Sequence, residues 1–456
     1  VSGFNIKRTS RLLAVIVLLG LALRVCVVVW IPTVPAEDFW SYFQRAQSLA
    51  DFRTYDTIVG RPDASYPPGY PLLLSLFFHL PFDRLWAAKA INVLLSCATI
   101  ALVFAVSRLI FDTKTALVAA SIAALSPRMI LQNTLIASEN LFIPLLLLWV
   151  LVCLKLFHQP TPLKGFLAGC LLGALTLVRS VANLLALPWL LAFLWSPANR
   201  RKVLKVAAAL LIGQALLLLP WAVRNELVLG KPIFLTSTGG VNLFIGNNPS
   251  AGGSWYPWVA DMQAIDPTFS ERDIVTQDEL AGQAAEQWIA RNPVAAAQLY
   301  LKKWGLIFTD DTFALDMAIF SRQLSPPWPA SDVLTGDHPL KHARNMLEAL
   351  FNGWYWVFLA LGACGLVLAP LWQARDRAPI SFSSHLFVAF CVLYFPAVSA
   401  VFLASTRFHW PSIDLLIPYA AFSLVQVYEK IARADDAGIG NQTAVGKPSH
   451  FVTHDS

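Results

Sequence analysis

The chain has 456 residues, 56% of them hydrophobic and only 14% charged, with a mean hydropathy of +0.57, a balance that excludes an ordinary soluble domain. A formal charge of +6 arises from 34 Lys and Arg against 28 Asp and Glu. The basic residues gather at the ends of apolar runs, as in Lys7, Arg8 and Arg11 or Arg200, Arg201, Lys202 and Lys205, a pattern of membrane orientation that excludes nucleic acid as a partner.

Continuous rather than alternating apolar runs exclude an outer-membrane barrel and predict an all-α polytopic membrane protein. Requiring about 20 apolar residues per span predicts about ten transmembrane helices, near 11–31, 86–110, 115–135, 139–157, 164–178, 181–196, 203–223, 353–372, 385–404 and 411–429. The first run ends at Trp30-Ile31-Pro32 without a small-residue cleavage site, so it reads as a retained span rather than a signal peptide. With both termini cytoplasmic, the clusters Arg108 and Lys114, Lys155 and Lys164, Arg200 to Lys205, Arg375 and Arg377, and Lys430 and Arg433 all fall inside. Three segments then face outward: 32–85, a turn at 136–139 and a long stretch over 225–350.

The expected organisation is a membrane module over 1–224 with the outer loop 32–85, a small, mainly helical loop domain over 225–350, membrane helices over 351–430 and a disordered tail over 431–456. Cys26, Cys97, Cys153, Cys170, Cys364 and Cys391 all lie in apolar runs without a CxxC pair and read as packing residues.

In the first outer loop, AEDFWSYFQRAQSLA (36–50) carries Glu37 and Asp38, and Asp38, Tyr42 and Ala46 share one helical face at i, i+4 and i+8. The plain alternative is that one acid caps the helix. YPPGYP (66–71, with Tyr66) forms a rigid turn before Leu72–Leu80, a run too short to cross and suited to an interfacial helix. ASEN (137–140) sets Glu139 at the mouth of the fourth span, where capping is again the plain alternative. Arg179, Arg224 and Arg407 sit at outer helix ends; one such arginine can simply snorkel, but three on the face that carries two acid motifs suggest a site. In the long loop two amphipathic helices meet at Asn292-Pro293, with Asn292 as N-cap of the second. The glycine-rich stretch 239–253, which contains Asn247, lacks the GK[ST] of a P-loop. His338 and His342 have Pro339 between them and no third ligand, so no metal or other cofactor is expected.

Taken together, Asp38-x-x-x-Tyr42-x-x-x-Ala46, YPPGYPLLL, Ser138-Glu139, PWAVRN, GGVNLFIGNNP and RFHWP resemble the GT-C superfamily of polyprenyl-phosphate-sugar glycosyltransferases. The branch is the one related to protein O-mannosyltransferases and bacterial lipid A aminoarabinose transferases, and the resemblance covers about residues 10–430. It implies a plasma (inner) membrane enzyme, of bacterial type from its compact loops. Such an enzyme moves mannose or a similar sugar from a polyprenyl-phosphate donor to an acceptor hydroxyl, with inversion; the acceptor is left open among lipid, glycan and protein, and the resemblance does not itself imply a protein.

The resemblance also implies Asp38 as general base, with Glu37 as its alternate, because the pair reads Glu-Asp here and typically Asp-Glu in eukaryotic protein O-mannosyltransferases. Burial and the adjacent Glu37 are expected to raise the basicity of Asp38. Arg407, Arg224 or Arg179 would face the leaving phosphate, with Arg61 and Lys89 as second choices, since guanidinium forks match phosphate oxygens. Tyr66, Glu139 and Asn247 complete the expected substrate-binding set.

The rival reading is a polytopic transporter or lipid flippase of envelope glycan precursors, which would need polar groups near mid-bilayer. Asn92 and Gln214 are the conspicuous ones, whereas the ionisable residues collect at one face. A noncatalytic envelope scaffold is the third class, and it would tolerate loss of Asp38.

Overall fold

The computed structural model describes residues 6–58, 61–195, 200–320, 339–376 and 381–444. Helix α1 (Ile6–Trp30) is followed by α2 (Glu37–Phe52), a two-stranded hairpin β1 (Asp56–Ile58) and β2 (Arg61–Pro62), and α3 (Gly69–Phe77). The membrane module continues with α4 (Arg84–Ile110), α5 (Thr113–Leu125), α6 (Pro127–Leu131), α7 (Glu139–His158), α8 (Pro162–Val178), α9 (Ala186–Phe193) and α10 (Arg200–Leu229). Then come α11 (Gly239–Gly246), α12 (Val259–Ile265), α13 (Ile274–Arg291), α14 (Pro293–Ile307) and the single turn α15 (Phe313–Leu315). The chain returns through α16 (Pro339–Asp376), α17 (Phe382–Phe402) and α18 (Trp410–Ala444).

Among the described residues six helices are long and apolar enough to cross a membrane, seven if one bent pair counts as a span, so the expected ten are not all reproduced. The segment expected to span 115–135 breaks at Ser126-Pro127 and bends by 54°. Pro127 has no N–H for the carbonyl of Ala123, four residues back. Arg24, fully buried in α1, supplies the missing donors: its Nη2 lies 3.0 Å from the Ala123 carbonyl and its Nη1 3.0 Å from that of Ala124. The expected span at 164–178 is the 17-residue α8, and that at 181–196 is cut by a 3-10 turn at Ser180–Leu184 before α9. The final helix continues to Ala444, into the segment expected as a tail, and residues 445–456 lie outside the described residues.

One contiguous apolar core runs through α2 to α10 and α15 to α18. Helix α8 presents Gly165, Gly169 and Gly173 every fourth residue to α10, a small-residue stripe that lets two backbones touch. A Cβ on Gly169 would lie 1.9 Å from the Leu210 carbonyl oxygen. Asn92 and Gln214 are spent inside the protein: Asn92 donates to the Leu135 carbonyl at 2.9 Å and accepts from the Tyr70 hydroxyl, and Gln214 donates to the Asn183 carbonyl.

The loop helices α11 to α13 form a second small core around Phe244, Met262 and Phe269. Asp273 caps α13 through the N–H groups of Val275 and Thr276. Asn292 occupies the N-cap position of α14 as expected but makes no side-chain cap bond there; its amide turns back onto the Trp288 carbonyl at the end of α13. Likewise neither Glu37 nor Asp38 caps α2, whose N-cap is Ala36 without a side-chain bond.

Candidate active site

Asp38 opens the first turn of α2 with its backbone already committed to the helix, so its side chain is free to turn inward. Glu37 immediately before it has φ 51, a left-handed conformation costly for a residue with a Cβ. The two carboxylates therefore part company: Glu37 is exposed, without a hydrogen bond or ion pair among the described residues, while Asp38 enters the bundle end.

There the Tyr66 hydroxyl donates to Asp38 Oδ1 at 2.6 Å and Arg407 Nη2 donates to Oδ2 at 2.6 Å. Arg407 comes from a 3-10 turn, Thr406–His409, that links α17 to α18, and its guanidinium lies over the Phe313 ring at 5.2 Å. Burial alone would raise the proton affinity of Asp38, but Arg407, the Tyr66 hydroxyl and Arg179 outweigh it and hold the carboxyl below its ordinary range. The sequence expectation of raised basicity is thus reversed in the free protein, where Arg407 is the largest cause opposing burial. Burial and the adjacent Asp38 push Tyr66 up, so it stays protonated and able to donate.

A second ion pair stands beside the first. Glu139, at the first turn of α7 and 2% exposed, receives Arg179 Nη1 at 2.5 Å, and the same nitrogen donates to Ser138 Oγ at 3.1 Å. Ser138 Oγ is 3.3 Å from the hydroxyl of Tyr42, which packs edge-on against Tyr66. Arg179 acts electrostatically on Asp38 and Glu139 on Arg407, so the four charges form one chamber.

The remaining expected residues stand elsewhere. Arg224 is spent on the first loop: its Nη1 donates to the Asp63 carbonyl at 2.8 Å and its Nη2 to the Tyr55 carbonyl at 3.1 Å, with the Trp221 ring beneath. Lys89 is buried, with Nζ 2.8 Å from the Thr33 carbonyl, and ties α4 to the start of the loop. Asn247 donates to the Leu243 and Val401 carbonyls and accepts from Lys303, joining α11 to the end of α17. Arg61 is exposed on β2 and makes no ion pair among the described residues. Arg224→Ala should consequently lower thermal stability in detergent by roughly 1–3 kcal/mol by orphaning buried carbonyls, while leaving donor KM within twofold. A tenfold KM change at unchanged stability would return Arg224 to the phosphate.

The sequence reading missed Arg45 and Asp63, a buried ion pair beneath Tyr66. It also missed Arg128, Asp311 and Asp414, which form a buried group with His409 of the RFHWP motif behind the Arg407 turn. Their partners lie far apart in sequence, so no local spacing marks them. Among the described residues no group of three His, Cys, Asp or Glu side chains is placed to hold a metal ion, and His338 lies outside those residues.

The backbone places this chamber in a known frame. Over 96% of the chain superposes on the apo crystal structure of the Archaeoglobus fulgidus oligosaccharyltransferase, with a TM-score of 0.55 at 15% identity and 53% of that protein covered. The fold is GT-C-like. Archaeal oligosaccharyltransferase AglB from the same organism, in complex with an inhibitory peptide and a dolichol-phosphate, matches over 97% of this chain and 52% of its own, at 15% identity and TM-score 0.52. A third structure, tethered to an acceptor peptide containing the NVT sequon, matches at 16% identity and TM-score 0.55, with 96% of this chain and 52% of that one covered. The chain spans about half the length of these solved structures. In sequence, residues 65–223 match the family described as dolichyl-phosphate-mannose-protein mannosyltransferase, and no curated protein matches. That segment of the GT-C-like fold contains Tyr66, Glu139 and Arg179, while Asp38 and Arg407 join it from either side.

Proposed function

We propose that the protein is an integral-membrane glycosyltransferase that moves a sugar, mannose or a similar one, from a polyprenyl-phosphate donor to an acceptor hydroxyl on the extracytoplasmic face, with inversion at the anomeric carbon. The observation that carries this reading is the meeting of Asp38 with Arg407 beside the Arg179–Glu139 pair, four charges from four separate segments at one end of a GT-C-like bundle. The dolichol-phosphate held by the archaeal relative and the mannosyltransferase family match support a lipid-phosphate donor.

Transfer requires a base for the acceptor proton and cations for the charge that grows on the leaving phosphate. Arg407 and Arg179, each about a fifth exposed, present guanidinium edges to the chamber. In the resting protein Arg407 is engaged by Asp38. A donor phosphate that takes Arg407 releases Asp38 from the cation that weakens it, and burial then raises the proton affinity of the freed carboxylate. Asp38 accepts the acceptor's proton as the oxygen attacks the anomeric carbon, and the sugar–phosphate bond breaks to leave the lipid phosphate on the arginines.

The test is the purified protein in lipid, supplied with a panel of polyprenyl-phosphate sugars and with hydroxyl acceptors. Transfer from at least one such donor is expected. Failure with every lipid-phosphate donor, alongside transport of an intact lipid-linked glycan, would replace the enzyme with the flippase.

A further inference from the structure

Arg407 reaches Asp38 from a four-residue turn, and a short turn does not by itself hold an arginine in place. The segment Asp310–Asp316, arriving from the end of α14, builds a seat for it. Asp311 Oδ1 accepts from Trp410 Nε1 at 2.9 Å and faces His409 Nε2 at 3.2 Å. These are the residues that end the turn and begin α18. Asp311 Oδ2 lies 3.4 Å from Nε of Arg128 on α6, and Arg128 is bound in turn to Asp414 on α18. The backbone N–H of Asp311 donates to Asn352 Oδ1 on α16 at 3.0 Å. Two residues on, the Phe313 ring lies under the Arg407 guanidinium and edge-on to Trp410 at 5.9 Å. His409 is stacked between Phe308 and Tyr355, with Nδ1 2.7 Å from the Ile307 carbonyl.

Arg128, Asp311, His409 and Asp414 are all buried, and among the described residues none of them makes an ion pair with Asp38, Glu139, Arg179 or Arg407. The turn is therefore clamped on one side by the loop segment and on the other by the broken span that leads to Ser138-Glu139.

We infer that Asp311 is a positioning residue of the reaction: by holding His409 and Trp410 from the loop segment, with Phe313 beneath the guanidinium, it fixes Arg407 where it meets Asp38 and the donor phosphate. The inference rests on the proposed donor chemistry. It adds a requirement which that chemistry alone does not contain, that the binding of lipid phosphate depends on a residue outside the chamber.

The test is a double-mutant cycle read as the Kd for polyprenyl phosphate in lipid nanodiscs. Asp311→Asn should weaken binding about tenfold when Arg407 is present, since a small misplacement of a binding group carries losses of this order or more. In the Arg407→Gln background the same change should weaken binding less than twofold. Equal factors in both backgrounds, or no change in either, would overturn the inference and leave Asp311 a purely structural residue. Should Asp311→Asn fail to fold, Phe313→Leu enters the cycle in its place with the same expected coupling. Absence of any binding by the wild type is a different result, which removes the lipid-phosphate reading itself.

Discussion

Asp38→Asn is expected to lower turnover about 100- to 10,000-fold, the range that a positioned general base contributes. The substitution preserves volume and an oxygen for the Tyr66 hydroxyl, so loss of rate without loss of fold is the signature sought. Glu37→Gln is the discriminating companion. Glu37 is exposed and turned away by its left-handed backbone, and its rate should stay within twofold of the wild type. Equal losses in the two variants would mean that the acids act as a pair. The pH dependence follows the same geometry. A carboxyl whose native pKa is depressed favours the ionised form in the folded protein. Its contribution is present above the unfolded value of 3.8 and is lost as pH falls through the lower native value. The acid limb of kcat/KM, which reports the free enzyme, should lie below 3.8, and Arg407→Gln should move it upward because burial is then less opposed. A limb unmoved by that substitution would separate Arg407 from the titrating group.

Asp63→Ala is expected to cost roughly 3–5 kcal/mol, the penalty for leaving a buried charge without its partner. The side chain of Arg45 is 3% exposed and makes its ion pair with Asp63, while Asp63 Oδ1 also accepts from the Ser65 N–H at 2.8 Å and the Ser65 hydroxyl at 2.6 Å. Tyr66 follows directly, with the Arg45 guanidinium 4.8 Å from its ring, so the loss should reach the hydroxyl that binds Asp38. Thermal unfolding in detergent gives the stability and turnover gives the coupling. The double change Arg45→Met with Asp63→Leu should recover much of the stability, because apolar replacement of both partners avoids the stranded cation. A single-variant loss under about 1 kcal/mol, the size of an exposed pair, would show that the pair does not hold the loop.

Much of the frame could be read from periodicity. Asp38 and Tyr42 do share a face, and Glu139, Arg179 and Arg407 do stand at one end of the bundle. What spacing could not supply is the division of labour among the arginines. Arg224 and Arg407 look alike in sequence, each at an apolar helix end, yet one is consumed by loop carbonyls and the other by a carboxylate 369 residues away. Arg24 shows the same limit within the membrane. Its role depends on a carbonyl freed by Pro127, about a hundred residues later, and no window over α1 contains that information. The seat of Arg407 was hidden for the same reason, since Arg128 and Asp414 are separated by 286 positions.

The two guanidiniums and two carboxylates balance one another in charge. On the proposed mechanism an incoming phosphate must trade places with an internal carboxylate, and that exchange sets a sequence of arrival. In that mechanism Asp38 stays tied to its cation until the lipid phosphate arrives, so the base is released by the very molecule whose sugar it helps to transfer.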